Sequence, residues 1–302
     1  MSEAALPAGP RWLLRAAAWL IAAAALFVVA RRMDFGALAS ALSSAAWGWV
    51  AVAVAVNVAG STLARTRRWQ ALLEPIPHQQ RASFLDLVRV SYASGAVSNL
   101  LPARAGEAVR VVELKRRRGY PAGALIAAQL AEKGIEAISL GLLFGLSALL
   151  PGASWPPLGV AGGVAAAAVL VLAVLPRSAP GPAGRFLQAL RAVHAERSWI
   201  RSLLWSLLSD GIDLLLVGLC LRALGIDVHP AVWAMILLSI NLALLLPTTP
   251  GNLGILEAGA VVALTAAGVA PEPALAFALL YHAVHLVPGT VLGAIAIALP
   301  WS

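Results

Sequence analysis

The sequence has few charged residues and a single cysteine, and each shortage excludes a class of protein. Charged residues make up 12% of the 302 residues, whereas soluble proteins contain about 25%. The lone Cys220 excludes an intramolecular disulfide and a thiolate metal cluster, so we expect a small hydrophobic residue within a helix. The chain also lacks a Gly-Lys-Ser/Thr phosphate loop, a serine nucleophile elbow and a His-Glu-x-x-His motif. We therefore expect a protein that is not an enzyme and holds no cofactor or metal.

Hydrophobic residues make up 60% of the chain and are gathered into long runs. A helix needs about 20 apolar residues to cross a bilayer core of about 30 Å. No long linker separates the runs, and the first is too long for a removable signal peptide. The sequence therefore predicts an all-α polytopic membrane protein, with residues 1–302 forming one integral membrane domain. Six runs reach or approach the length of a full span: 12–30, 46–64, 122–150, 157–176, 199–224 and 274–299.

Two further apolar runs are broken by proline. Runs 84–101 and 231–247 are followed by the shorter apolar stretches 105–114 and 253–267. Because 105–114 is far too short to cross a membrane, each broken run predicts a re-entrant hairpin that enters and leaves on the same side. Two alternatives remain open: ten spans of unequal length, which give the same loop sides, and ordinary proline kinks repaired by neighbouring helices.

The formal net charge is +8, but the positions of the basic residues argue against a nucleic-acid partner. By the positive-inside rule, loops rich in Lys and Arg, such as 65–83 and 111–121, are cytoplasmic. The connections 151–156, 225–230 and 268–273 contain no Lys or Arg, although Arg31, Arg32 and Arg222 fall on the predicted outer side. We expect a multi-pass protein of the inner (plasma) membrane with both termini in the cytoplasm.

The two proline breaks resemble each other. The segments NLLPARAGE at 99–107 and LLLPTTPGN at 244–252 share Leu-Leu-Pro and a glycine four residues after the proline. Each half then reads span, broken hairpin, span, in repeats of about 46–150 and 199–299, with the extra helix 157–176 between them. That order inverts the second half relative to the first, as in secondary transporters. The residues that make the breaks are Pro102, Gly106, Pro247, Pro250, Gly251 and Gly254.

Polar residues near the breaks are the candidates for binding a substrate. Arg104 follows Pro102 at a predicted helix start, where free backbone N–H groups also favour a phosphate. Glu107 either pairs with Arg104 or Arg110 or contacts the substrate. In the second hairpin Asn252 is the predicted N-cap, and Glu257 has no basic neighbour in sequence, so it is a candidate for binding a cation, a proton or an amine. The predicted substrate-binding residues are Arg104, Arg110, Glu107, Glu257, Asn99, Asn241 and Asn252, although Asn241 has a structural role as its alternative.

Ionisable residues within the long spans are candidates for a coupling site, because such residues cost about 2.5 to 3.5 kcal/mol each on insertion scales. Lys133 is expected to pair with Glu136, which leaves Glu132 less satisfied. Glu132 matches His282 in the repeat, so the two form either a proton relay or a structural pair. Asp213 joins them as a relay candidate; Asp210 and Asp213 could instead pair with Lys133 or Arg89. His282 and His285 lack the further ligands that a metal site needs.

Four segments carry a resemblance to a known family: RTRRW, SNLLPARAGEAVR, LLSDGIDLLLVGLCLRALG and PTTPGNLGILEAGAVVAL. Together they resemble the lysylphosphatidylglycerol synthase transmembrane family, also called flippase-like domain proteins. In the large synthases this membrane domain is implicated in moving aminoacylated phosphatidylglycerol between leaflets, while a soluble domain transfers the amino acid.

The resemblance implies translocation or handling of an anionic or aminoacylated phospholipid, or of an isoprenoid or hopanoid lipid. We expect the soluble transferase domain to be absent from this chain. The implied partners are membrane lipids, a homo-oligomer or an enzyme of lipid biosynthesis. Two alternatives stay open: a membrane-embedded lipid-modifying enzyme, and a non-transporting partner or scaffold subunit.

Overall fold

The structure is a computed structural model that describes residues 35–100, 105–147, 149–150, 198–244 and 249–298. Every regular element in those ranges is a helix, so the all-α prediction is confirmed. The predicted first span 12–30 and the predicted extra helix 157–176 lie outside the described residues. The helices are α1 (Phe35–Ser43), α2 (Trp47–Val56), a π-helical turn (Asn57–Ser61), α3 (Thr62–Leu73), α4 (Phe84–Leu100), α5 (Ala105–Arg118), α6 (Ala122–Ser147), α7 (Ser198–Ala223), α8 (Pro230–Ala243), a 3-10 turn (Pro250–Asn252), α9 (Ile255–Ala266) and α10 (Pro271–Ala298).

Within the described residues, three helices are long and apolar enough to cross a membrane. They are Trp47–Leu73, which joins α2, the π-helical turn and α3, together with α7 and α10. The shortest of the three has 26 residues and is therefore about 39 Å long, which exceeds a hydrocarbon core of about 30 Å. In α7 the side chain of Cys220 is fully buried, as expected for a small hydrophobic residue.

The helix that ends at Leu73 is longer than predicted. The sequence ended this span at residue 64 and assigned the following cations to a loop, and that assignment is wrong for residues 65–73. Arg68 is only 4% exposed. The reason is that Arg65 and Arg68 meet carboxylates on neighbouring helices, so charge does not force the chain out of the protein.

Helices α4 and α5 form a closely packed first helix pair, and α8 and α9 form a second. The Ser94 hydroxyl donates to the Gly106 carbonyl oxygen at 2.6 Å, and the Ser239 hydroxyl donates to the Gly259 carbonyl oxygen at 2.8 Å. A Cβ on Gly106 would lie 1.8 Å from the carbonyl oxygen of Ser94, and one on Gly259 would lie 2.9 Å from the Cα of Ile240. Glycine is thus required at both crossings, as is common where membrane helices approach closely.

The first helix pair packs against the last helix of the chain. A Cβ on Gly293 of α10 would lie 2.4 Å from the Cβ of Ala96 in α4, so these two helices also meet at a glycine. The Asn99 side-chain amide donates to the Thr290 hydroxyl at 2.8 Å. Since α7 packs against α3 and α6, helices from early and late in the chain enclose a common interior space.

Candidate functional site

A cavity of about 620 Å³ is lined by residues of helices α3 to α10. Its walls combine apolar side chains with an unusual number of charged ones for a chain of this composition. Because intramembrane charges are rare and costly, their concentration around one cavity marks it as the candidate site. The charged residues that line the cavity include Arg65, Arg68, Glu107, Arg110, Glu132, Lys133, Glu136, Asp210 and Asp213.

Arg68 of α3 is the centre of the charged wall. Its Nη2 lies 2.8 Å from Oε1 of Glu132 and 2.5 Å from Oε1 of Glu136, and its Nη1 donates to the Ser206 hydroxyl at 3.2 Å. The Arg68 side chain is 5% exposed and that of Glu132 is 3% exposed. A guanidinium buried to this degree depends on its carboxylates, because an unpaired buried charge is strongly unfavourable.

The same network extends in both directions from Arg68. Nη1 of Arg110 lies 2.9 Å from Oε2 of Glu132, and the Arg110 guanidinium also stacks over the ring of Trp69 at 4.9 Å. At the other end, Nζ of Lys133 lies 2.9 Å from Oε2 of Glu136, so the predicted pairing of these two residues is confirmed. We call the set Arg110, Glu132, Arg68, Glu136 and Lys133 the ion-pair cluster.

The ion-pair cluster corrects the prediction that Glu132 is the less satisfied acid of α6. Glu132 accepts from two guanidinium groups, one on α3 and one on α5. Sequence reasoning considered only neighbours on the same helix, and both partners of Glu132 lie on other helices. Arg110, which was predicted to pair with Glu107 or a substrate, also has Glu132 as an ion-pair partner.

A second ion pair lies beside the cluster, between α3 and α7. Nη2 of Arg65 lies 2.9 Å from Oδ2 of Asp213, and Nε of Arg65 donates to the Ser209 hydroxyl at 3.4 Å. Nε2 of His285 lies 3.7 Å from Oδ1 of Asp213. Asp213 is therefore enclosed by a cation from the first half of the chain and an imidazole from α10.

The expectation that Asp210 and Asp213 pair with Lys133 or Arg89 is wrong. Asp210 accepts a hydrogen bond from the Ser139 hydroxyl at 2.5 Å, and Lys133 pairs with Glu136 instead. Arg89 donates to the carbonyl oxygen of Ala296 at 3.0 Å. The spacing of Asp210 and Asp213 predicted only that they share one face of α7. The cation that pairs with Asp213 is Arg65, which lies in a segment that the sequence assigned to a loop.

Two helix irregularities meet at one edge of the cavity. Pro288 lies inside α10 and has no N–H to offer the carbonyl oxygen of Val284, four residues earlier. The Asn57 side-chain amide, in the π-helical turn, donates to that same oxygen at 2.9 Å. π-helical turns often occur at functional sites, and here the turn aligns a polar side chain with the acceptor that the proline leaves without its helical partner.

The second helix pair contains a buried polar group of its own. Gly254, with φ +81°, is the N-cap of α9, and its N–H donates to Oε2 of Glu257 at 2.7 Å. The other carboxylate oxygen of Glu257 lies 2.5 Å from Nδ1 of His282. Asn252 has φ +58° in the preceding 3-10 turn, so its prediction as the N-cap is wrong: the left-handed turn places the helix start at Gly254.

These contacts bear on two predictions, namely that Glu257 lacks a basic neighbour and that Glu132 and His282 form a proton relay or a structural pair. Glu257 has an imidazole partner from α10, which a search along the sequence near Glu257 could not reveal. Glu132 and His282 both line the cavity, but their polar contacts run to Arg68 and Arg110 in one case and to Glu257 in the other. Across the described ranges, no group of three or more His, Cys, Asp or Glu side chains is arranged to hold a metal ion.

The remaining predicted site residues are divided between the cavity and its surroundings. Asn99, Glu107, Asn241, Gly251 and Asn252 line the cavity. The Asn241 amide donates to the Leu237 carbonyl oxygen of its own helix at 2.8 Å. Gly106 lies at the α4–α5 crossing, and Pro250 begins the 3-10 turn before Gly254. Pro102, Arg104 and Pro247 lie outside the described residues.

The family model of the lysylphosphatidylglycerol synthase TM region matches residues 15–293. The chain belongs to this family. A curated protein of Haloferax volcanii named Glycosyltransferase AglD is 28% identical over 321 aligned positions, covering 88% of this chain and 51% of that protein. The chain thus spans about half the length of the curated relative it matches.

Family membership and the apolar helices together identify a membrane-embedded protein with a lipid-related function. Within this family member, sequence reasoning missed Arg65, Arg68 and His285 as cavity residues. One signal could have found the two arginines: Ser61, Arg65 and Arg68 recur at helical spacing, so they share one face if the helix continues. The acids within the membrane also require cationic partners, and residues 65–68 directly follow the predicted span 46–64.

Proposed function

We propose that this protein moves a lipid between the leaflets of the inner membrane, or otherwise handles it, by binding its headgroup in the charged cavity. The observation that carries the proposal is the concentration of buried ion pairs around a cavity of about 620 Å³ in an otherwise apolar chain. A headgroup is polar and its acyl chains are not. A polar interior reached between apolar helices suits both parts of such a molecule.

The proposed mechanism uses an inverted repeat of residues about 46–150 and 199–299 within a single domain of six spans. The two helix pairs act as re-entrant hairpins that enter from opposite sides, and rocking of one half against the other exposes the cavity to each leaflet in turn. The matched contacts of Ser94 with Gly106 and of Ser239 with Gly259 support this repeat. By the positive-inside rule, the basic segments support a topology with both termini in the cytoplasm.

In this mechanism Arg110 guides the headgroup from the cytoplasmic side, and Arg104 contributes a second cation. Arg110 is suited to this role because its side chain is 17% exposed and lies at the rim of the ion-pair cluster. Movement of Arg110 toward a ligand would still leave Glu132 paired with Arg68. Lipids are the proposed partners, with a homo-oligomer or an enzyme of lipid biosynthesis as protein partners.

A second candidate is a membrane-embedded enzyme that modifies a lipid, or the membrane partner of such an enzyme. The observation that favours it is the similarity to a protein named as a glycosyltransferase. Formation of a modified lipid by the purified chain, or a stable enzyme that co-purifies with it, would favour this candidate over translocation.

The proposal is tested by reconstituting the full chain into proteoliposomes that contain trace fluorescent lipids. Dithionite quenches only the outer leaflet, so translocation raises the quenched fraction above that of empty vesicles. The panel comprises labelled phosphatidylglycerol, phosphatidylethanolamine and a neutral glycolipid. Arg67→Gln is the control variant and should behave as the wild type does, because Arg67 is exposed and lies outside the cavity. Quenching equal to that of empty vesicles for every lipid would exclude translocation.

The inverted topology has a separate test in a Cys220→Ser background. Single cysteines introduced by Arg116→Cys and Ala153→Cys are expected to react with an impermeant maleimide from opposite sides of the membrane. Labelling of both positions from one side would contradict the inverted repeat.

A further inference from the structure

Two of the cations that line the cavity are more exposed than the carboxylates with which they pair. The side chains of Arg65 and Lys133 are 45% and 48% exposed. Their partners Asp213 and Glu136 are 11% and 31% exposed, and Glu132 is 3% exposed. In each pair the cation is therefore the more exposed partner, and all four residues line the cavity.

Both exposed cations also have hydrogen-bonding capacity left over. Lys133 carries three N–H donors and uses one on Glu136. Arg65 uses Nη2 on Asp213 and Nε on Ser209, and within the described part of the chain its Nη1 group makes no hydrogen bond. Arg65 and Lys133 line the same cavity, so their remaining N–H donors are available to a ligand there.

The two cations lie at a similar depth. Arg65 is about 12 Å along its helix from the Leu73 end, and Lys133 is about 16 Å along α6 from the Ala122 end. Both helix ends adjoin the basic segments of the chain. Glu136 pairs with Lys133 and also with Arg68, which is one turn from Arg65 on α3, so Arg65 and Lys133 lie on facing helices beside one carboxylate. A single small anion could therefore contact both.

We propose that Arg65 and Lys133 form a binding site for the phosphate group of a lipid headgroup. This inference rests on the proposed lipid-handling function and names the chemistry that the cavity recognises. Guanidinium and ammonium groups are the standard donors to phosphate oxygens, and such charge-assisted hydrogen bonds are roughly twice as strong as neutral ones. The carboxylates of Asp213 and Glu136 hold the two cations in place and leave part of their N–H donors free.

The site implies selectivity for lipids that carry a phosphate. A neutral glycolipid would leave the donors of Arg65 and Lys133 without an anion, whereas a phosphodiester would satisfy both. The predicted contact places the phosphate between α3 and α6.

The test measures binding of fluorescent phosphatidylglycerol to the full chain in detergent micelles, with a neutral glucosyl-diacylglycerol as comparison. Arg65→Gln and Lys133→Gln are each expected to weaken phosphatidylglycerol binding about fivefold to tenfold, because each removes charge-assisted hydrogen bonds. Arg65→Lys should recover part of the loss. Arg67→Gln, on the exposed face of the same helix, should bind as the wild type does. Thermal unfolding of each variant shows whether the fold is intact, and Lys133→Gln is the safer variant because Glu136 keeps Arg68.

The outcomes separate this inference from the proposed function. Unchanged phosphatidylglycerol binding in folded Lys133→Gln and Arg65→Gln variants, or equal binding of the neutral glycolipid, would overturn the phosphate site while leaving lipid handling intact. Charge-dependent binding without transbilayer movement would support the site and exclude translocation. Inorganic phosphate and glycerol 1-phosphate serve as competitors: displacement by glycerol 1-phosphate supports a headgroup, and displacement by inorganic phosphate alone overturns the lipid assignment.

Discussion

The two helix pairs share a packing contact but differ in their chemistry. In each pair a serine hydroxyl donates to a glycine carbonyl at the crossing, Ser94 to Gly106 and Ser239 to Gly259. The first pair then contributes Arg110 to a charged network that joins three helices. The second pair instead uses Glu257 to cap its own α9 and to contact a single imidazole.

This difference shows that how closely the two helices of a pair approach does not depend on which charged residues the pair carries. Small residues fix how closely the helices approach, and the same solution serves both halves. The charged residues are concentrated in the first half, where they face the cavity. We therefore expect substitutions at the glycines and serines to have matching effects in both pairs, and substitutions of charge to have unequal effects.

The largest expected effect comes from removing the central cation of the first half. Arg68→Gln leaves Glu132 and Glu136 with a buried carboxylate charge that the remaining cations only partly offset. Breaking a buried pair in this way costs about 3 to 5 kcal/mol. Thermal unfolding in detergent, followed by size-exclusion chromatography, measures it. Arg67→Gln is the control, and a similar small shift for both variants would show that the ion-pair cluster is dispensable for stability.

The glycines at the two crossings give the next largest effect. Gly106→Ala and Gly259→Ala place a methyl group against backbone atoms, and overpacking of this kind costs about 1 to 3 kcal/mol. The Gly106 variant should be the worse of the two, because its Cβ would lie 1.8 Å from a carbonyl oxygen. Gly95→Ala is a matched control on α4, since a Cβ there would meet nothing within 4 Å. Equal unfolding temperatures for all three variants would contradict the close crossings.

A smaller effect is expected for the acid of the second half. Glu257→Gln keeps an oxygen that can accept from the Gly254 N–H but loses the charge that faces His282. We expect a loss of about 1 to 2 kcal/mol in the free energy of unfolding, well below that of Arg68→Gln. Asp227→Asn, at an exposed carboxylate, is the control. A loss as large as that of Arg68→Gln would remove the contrast between the two halves.

The serine contacts should give the smallest effects and the closest match. Ser94→Ala and Ser239→Ala each remove one hydrogen bond between helices, worth about 0.6 kcal/mol on average in membrane proteins. Their unfolding temperatures should therefore fall by a similar small amount. A loss in only one of the two variants would indicate that the matched geometry does not reflect matched energetics.

Sequence reasoning worked where the signal was local and failed where the partner was distant in the chain. The Lys133–Glu136 pair was predicted because three residues separate its members on one helix. The N-cap of α9 was misassigned to Asn252 because asparagine favours that position in general, while the actual cap depends on the positive φ of Gly254. Arg68 was assigned to a loop because its cationic neighbourhood is unfavourable in lipid unless acids are present.

The sequence by itself determined the all-α membrane class, the family and the presence of intramembrane acids, because composition, run length and short motifs decide these properties locally. Only the tertiary structure decided which charges pair and which face the cavity. Glu132 lies 64 residues from Arg68, and Asp213 lies 148 residues from Arg65. No local pattern specifies contacts at such separations. They arise because helix packing brings the two halves together. A buried charge is tolerated only where the packing also supplies a partner of opposite charge.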